Sequence, residues 1–213
     1  GAAAHLLVRD TAGRERHVHG VVDALSLTGG DQDMVRVRVK LRPAAEQLAY
    51  RHGFRIHQEL SVPDVVRKVF RDAGLAAELF RWSVGSYPVR AYVVQYDESE
   101  WDFVSRLLEE EGISYAWEHT EERCVMALFD ANGACAPLAE DALRFDDSGA
   151  RHGALRAWSL REFARACERR AVVNDYNPQT PATDLLARHE ADDGVDREWY
   201  EPWSRYGEVA QGR

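Results

Sequence analysis

The sequence predicts a mainly β fold of the α+β class, in which antiparallel strands carry short packing helices. Three observations point there. Residues 1–60 hold apolar/polar alternations separated by turn residues. Two helical stripes, each with a serine cap and a glycine stop, interrupt the strands. Between residues 92 and 118, strand, capped helix, glycine stop and strand follow with almost no slack.

Taken in order, His5 to Arg9 and His17 to Leu27 are strand-like, joined by a turn at Asp10, Thr11, Ala12 and Gly13. A second turn at Thr28 to Asp33 precedes Val35, Val37, Val39 and Leu41, which alternate with Arg36, Arg38, Lys40 and Arg42. That pattern predicts a half-buried strand with one basic face. Three consecutive antiparallel strands with tight turns begin a meander or a barrel. Pro43 to Tyr50 is one helical turn or two, and Phe54 to Gln58 is a short strand.

Ser61 caps a helix with Pro63 in its first turn and Asp64 at N3. Val65, Val66, Val69 and Phe70 form its apolar stripe, and Gly74 stops it. Pro88 opens a strand through Tyr96. Ser99 with Asp102 is a second cap, followed by the stripe Phe103, Val104, Leu107 and Leu108. Glu109, Glu110 and Glu111 fall opposite the stripe or in the last turn, Gly112 supplies the stop, and Ile113 to Trp117 resumes period two.

Cys124 to Phe129 alternates as a strand, with a turn at 130–133. Strand candidates also lie at Leu143 to Phe145 and Leu155 to Leu160, while Arg161 to Arg170 is ambiguous, its own patterning suggesting a helix. Ala171 to Tyr176 is a strand closed by Asn177 and Pro178. The polar tail from Ala187 reads as partly helical or mobile, anchored by Trp199, Tyr200, Trp203 and Tyr206. No repeat at a fixed period is visible. The helix at 61 and a charge step near 97 imply two interleaved β units.

Composition narrows the function. The chain has 213 residues, 45% hydrophobic and 30% charged, enough for one large or two small units. No apolar run approaches the roughly 18 residues of a membrane helix. Residues 97–147 hold 3 basic and 15 acidic residues, a net −12 against −9 for the whole chain, and residues 1–60 carry +2. Such a balance argues against nucleic acid, whose phosphates need a basic footprint. Cys124, Cys135 and Cys167 share no C-x-x-C spacing, which favours neither a disulfide framework nor a zinc site.

Catalytic and metal-binding patterns are weak. His17 and His19 are two apart, so a strand would point both to one face, but no third ligand is evident in the sequence. They read as surface histidines, as do the isolated His52 and His57. His189 and Glu190 lack the second helical histidine of a zincin. G-x-S-x-G, P-loop and G-x-G-x-x-G motifs are missing from the sequence. Glycoside hydrolysis would need an acid in an apolar pocket, whereas Glu98, Glu100 and Asp102 cluster at a helix N-terminus that favours their charged forms. Arg106 and Glu110 are spaced for an i,i+4 ion pair. No catalytic residue, cofactor or metal is expected.

The stretch Gln95, Tyr96, Glu98, Ser99, Asp102, Phe103, Arg106, Leu107, Leu108, Glu109, Gly112 and Ile113 carries a family resemblance. It resembles the Gln-Tyr-x-Glu-Ser-x-x-Asp-Phe-x-x-Arg-Leu-Leu-Glu-x-Glu-Gly-Ile run in the hub region of VgrG proteins, the spikes of type VI secretion systems, related to the baseplate hub of contractile phages. Three weaker matches fall in the same order, at residues 14–22, 54–66 and 174–181. His57 stands where that family usually has Phe.

The resemblance implies two interleaved antiparallel β-barrels of phage-tail hub type. Residues 1–60 would belong to the first barrel, 61–150 to the second with helices near 61–74 and 99–111, and 151–213 to the return and a further subdomain, with Arg161 to Arg170 as strand. It also implies a non-enzymatic hub that is a homotrimer in the full-length protein. Three chains with two similar barrels each would offer a six-fold face to a hexameric inner-tube protein. Effectors or adaptors would be its cargo; it would be made in the bacterial cytoplasm and secreted into target cells or medium. Both ends look cut relative to that family. A contractile phage tail hub is the neighbouring alternative, and a cell-wall hydrolase domain the alternative of another class.

Overall fold

A computed structural model describes residues 1–10, 13–30, 34–131, 133, 144–146 and 156–202. The chain divides into two compact units, one dominated by Gly1–Arg144 and the other by Ala157–Arg213. In the first, strands β1 (Ala3–Arg9), β2 (Glu15–Gly30) and β3 (Val35–Arg42) form an antiparallel meander. The turn between β1 and β2 is closed by the Gly13 amide on the Asp10 carbonyl, 3.1 Å, and by the Asp10 amide on the Arg14 carbonyl, 3.0 Å. A 3-10 helix, Ala44–Tyr50, follows.

Strand β4 (His52–Ser61) runs into helix α1 (Val62–Asp72). After strand β5 (Phe80–Ser83), strand β6 (Val89–Ser99) runs into helix α2 (Glu100–Glu110). Strands β4 and β6 pair antiparallel as a two-stranded ribbon. Strands β7 (Ser114–His119) and β8 (Cys124–Phe129) complete a third sheet, with β8 antiparallel to β7 and parallel to β5.

The two strand–helix units are copies. Each has a serine cap, Ser61 or Ser99, whose hydroxyl accepts the amide of the aspartate at N3 at 3.4 or 3.0 Å. Each has an acidic residue with positive φ two places before the cap, Glu59 at 52° and Asp97 at 49°. Each ends in a left-handed glycine, Gly74 at 77° and Gly112 at 67°, a conformation that only glycine adopts without strain. The sequence pattern alone did not reveal this duplication, because only the caps, stops and apolar stripe agree and the positions between them differ.

One core joins the copies. Val65, Val66, Val69 and Phe70 from α1 meet Phe103, Val104, Leu107 and Leu108 from α2, with Val93, Met126 and Leu128 from the strands and Ile113 just before β7. Leu48 of the 3-10 helix closes it. Phe70 stacks on Phe80 at 4.0 Å between ring centres. The helical periodicity therefore identified the buried faces correctly.

In the second unit, β11 (Glu168–Asn174) lies between β12 (Ala187–Glu190), antiparallel, and β13 (Val195–Pro202), parallel. Val172, Leu185 and Ala187 are its buried apolar residues. Two-residue strands β9 (Arg144–Phe145) and β10 (Arg156–Ala157), with a short 3-10 helix at Ala77–Leu79, complete the described elements.

Several expectations change. Among the described residues the sheets have two or three strands and none closes into a barrel. Residues 161–167 form neither helix nor strand, while 168–170 belong to strand β11. The tail to Pro202 is β-structure rather than helix, held by backbone pairing that needs no apolar periodicity. The strand β3 is not half-buried: Val35, Val37 and Val39 are exposed, because alternation groups residues on a face without supplying a cover. Residues 11–12, 31–33 and 132 of the predicted turns, and Leu143, Leu155, Trp203, Tyr206 and Cys135, lie outside the described residues. No helix of the described residues is long and apolar enough to cross a membrane.

Candidate functional site

The segment 95–113 is a clamp that fixes a strand end to a helix. Ser99 accepts the Asp102 amide and donates its hydroxyl to Asp102 Oδ2 at 2.7 Å. Arg106, one turn on, reaches back to Glu98 Oε1 at 2.6 Å, to Glu110 Oε1 at 2.9 Å and to the Val94 carbonyl at 3.3 Å. The Glu98 carboxylate raises the Arg106 guanidinium further above its ordinary value, with Glu110 adding to it. Glu109 is exposed, Gly112 turns the chain, and Ile113 enters the core.

Glu100 does more than charge a helix end. Its carboxylate is buried and bridges Arg51 at 2.6 Å and Arg55 at 2.7 Å, while its amide donates to the Arg51 carbonyl at 2.7 Å. Glu98, Glu100 and Asp102 are thus each committed to an arginine or a serine. None is the lone acid in an apolar pocket that glycoside hydrolysis requires.

Period two sends Val93, Gln95 and His57 inward and Phe54, Ile56, Tyr92, Val94 and Tyr96 outward. The register places Ile56 opposite Val94 and Gln58 opposite Tyr92. Phe54 meets Tyr96 edge-on at 5.2 Å. The outer face of this ribbon is apolar and open, with Ile56 67% and Tyr96 75% exposed. A second open apolar face lies on the meander, where Leu25 and Leu27 pair with Val39 and Val37. Beside it Asp23 binds Lys40 at 3.1 Å, Arg42 at 2.9 Å and the Tyr50 hydroxyl. The Tyr50 hydroxyl, helped by Lys40 and Arg42, holds the Asp23 carboxyl down to about 2.

The histidine pair reads differently in three dimensions. His17 and His19 do share a face, and the β1–β2 register sets His5 directly opposite His19. The missing signal was that register: the antiparallel pairing of β1 with β2 brings residue 5 across from 19, which spacing along one strand does not reveal. His52 lies 3.7 Å from Asp97, whereas His57, expected at the surface, is instead buried against Phe103, because the two-residue period of β4 points it inward. Burial, with Lys68 and Arg55 nearby, pushes the His57 imidazole below its ordinary value of 6.5.

Comparison with known proteins fits this architecture. The model of the family described as phage tail baseplate hub (GPD) matches residues 1–213. The type VI secretion system spike protein VgrG5 of Pseudomonas aeruginosa is 30% identical over 92% of this chain, and VgrG1b of the same organism 40% over 63%. The chain spans 25% and 18% of those two relatives. Among solved structures, an E. coli type VI component described as similar to T4 bacteriophage tail proteins superposes with a TM-score of 0.58. It is 30% identical, over 62% of this chain and 37% of its own. A Neisseria meningitidis tail protein shares the fold at a TM-score of 0.55, over 93% of this chain and 58% of its own, with 10% identity. The chain belongs to the phage tail baseplate hub family, and within it is similar to the VgrG spike proteins of type VI secretion.

Proposed function

We propose that this chain is the hub portion of a type VI secretion spike, a non-enzymatic scaffold that docks on the hexameric inner tube and helps carry effectors into target cells. The observation that carries the reading is the open apolar face of the β4–β6 ribbon. Ile56, Val94, Tyr92, Tyr96 and Phe54 stand on a strand pair whose inner face packs on the core, yet among the described residues they lack a cover. Apolar patches of that kind mark interaction surfaces. The commitment of Glu98, Glu100 and Asp102 to ion pairs and caps supports the scaffold role.

Two interleaved barrels, one from residues 1–60 with part of 151–213 and one from 61–150, would be completed on assembly. The duplicated strand–helix units support such a pseudo-symmetric hub, since a three-fold particle meets a six-fold ring when each subunit presents two equivalent elements. The full-length protein would then be a homotrimer. The test is co-sedimentation of the full-length protein with assembled tube protein. Wild type should co-sediment, and Ile56→Asp with Tyr96→Asp should weaken the interaction at least tenfold without changing the circular dichroism of the protein. Undiminished binding by that double variant would overturn the reading.

A further inference from the structure

We propose that His5, His17 and His19 form a binding site for a divalent first-row transition ion, zinc being the expected occupant. One ring nitrogen of each lies within 4.8 Å of the other two. His5 Nε2 is 3.0 Å from His17 Nδ1, and the His5 ring stacks on His19 at 4.1 Å between centres. Ligands on a tetrahedral zinc at 2.0–2.1 Å stand about 3.3 Å apart, so small side-chain turns bring this trio to the required spacing. The turns must bring the rings out of their parallel stack. His5 is exposed, and His17 and His19 are half-buried outside the apolar core, so most of the movement falls to the His5 side chain.

The surroundings prepare the donors. His19 Nε2 is 3.1 Å from the carbonyls of Thr120 and Glu121, which can only accept, so its proton sits there and Nδ1 keeps its lone pair. This is the outer-shell arrangement that orients metal-ligating histidines. His17 Nε2 faces the Glu15 carboxylate at 3.8 Å, and its Nδ1 faces His5. The His19 amide donates to His119 Nδ1 at 3.1 Å, fixing β2 against the β7–β8 turn. Three neutral imidazoles suit zinc, copper or nickel and not magnesium or calcium, which take oxygen ligands. A fourth position remains for water or for a partner group. The ion would tie the edge strand β1 to β2, with one ligand from the former and two from the latter.

The test titrates zinc chloride into the chelator-stripped chain and follows binding by calorimetry. Cobalt chloride then serves as a spectroscopic probe for histidine ligation. One equivalent should bind at micromolar concentration or tighter, with amide exchange slowed across Ala3–Arg9. His5→Ala, and separately the gentler His5→Gln, should weaken binding at least tenfold, while His52→Ala should leave it unchanged. Glu15→Gln should weaken it by a smaller factor, up to about tenfold. Absence of binding by the folded wild-type chain would overturn the proposal. Stoichiometric binding indifferent to both His5 variants would overturn it equally.

Discussion

His57 and Gln95 occupy matching places in the two strand–helix copies, each four residues before the capping serine, and each carries a buried polar atom that lacks a hydrogen-bond partner. Gln95 satisfies its amide on the Glu98 carbonyl at 3.0 Å but leaves Oε1 orphaned, while His57 leaves both ring nitrogens. The duplicated fold thus places one polar residue per copy on the inner face of the ribbon, where burial makes an unmet nitrogen or oxygen costly.

Replacing His57 by Phe should stabilise the chain by about 1–3 kcal/mol, since the ring stays against Phe103 and two orphaned nitrogens disappear. The same change should flatten a pH dependence. His57 has a folded value below 6.5, so the unfolded chain binds the extra proton. Stability is therefore full above pH 6.5 and lost as pH falls from there through the folded value. Urea denaturation at pH 7.5 and 5.5 checks both points. A wild type no less stable at the lower pH would refute the assignment.

Glu100→Gln should cost about 1–3 kcal/mol by removing the charge that Arg51 and Arg55 share. The loss is moderate because both arginines are partly solvated and regain water. Thermal unfolding in low and high salt is the measurement, and a shift that high salt leaves intact would point to packing rather than charge.

Ser61→Ala and Ser99→Ala should each cost about 1 kcal/mol, the worth of a helix N-cap. The double variant should show coupling, because α1 and α2 bury their stripes against each other. Leu107→Ala, in the middle of that contact, should cost about 2–5 kcal/mol. A Leu107 variant as stable as wild type would mean the helix packs elsewhere.

Asp23 should titrate near pH 2, read from its carboxyl carbon by NMR. Its folded value is lowered, so its contribution is complete above the ordinary value of 3.8 and disappears as pH falls towards 2. Tyr50→Phe should move the titration back upwards, since the Tyr50 hydroxyl is the main cause of the shift. An unmoved midpoint would transfer the effect to Lys40 and Arg42.

Local chemistry made several elements legible from the sequence. Ser61, Ser99, Gly74 and Gly112 bound two helices because caps and left-handed stops act over three or four residues. The stripes ending in Phe70 and Leu108 identify the buried faces because helical period and burial are coupled. The tail 187–202 was not legible, since its strands rest on backbone pairing with β11 and carry no apolar alternation. Residues 161–167 failed in the opposite way: their own pattern fits a helix, yet every one of them is exposed, so no burial rewards that pattern.

The candidate site divides along the same line. That His17 and His19 share a face follows from a two-residue period, a property of any strand. That His5 joins them is a matter of register, and register belongs to a pair of strands rather than to one. The exposure of Val35, Val37 and Val39 has the same origin, because a sequence states which residues face together while the tertiary arrangement decides what lies opposite. Glu100 shows it for charge: the chain places it at a helix N-terminus, and only the approach of Arg51 and Arg55 from a neighbouring strand and loop turns it into a buried ion bridge.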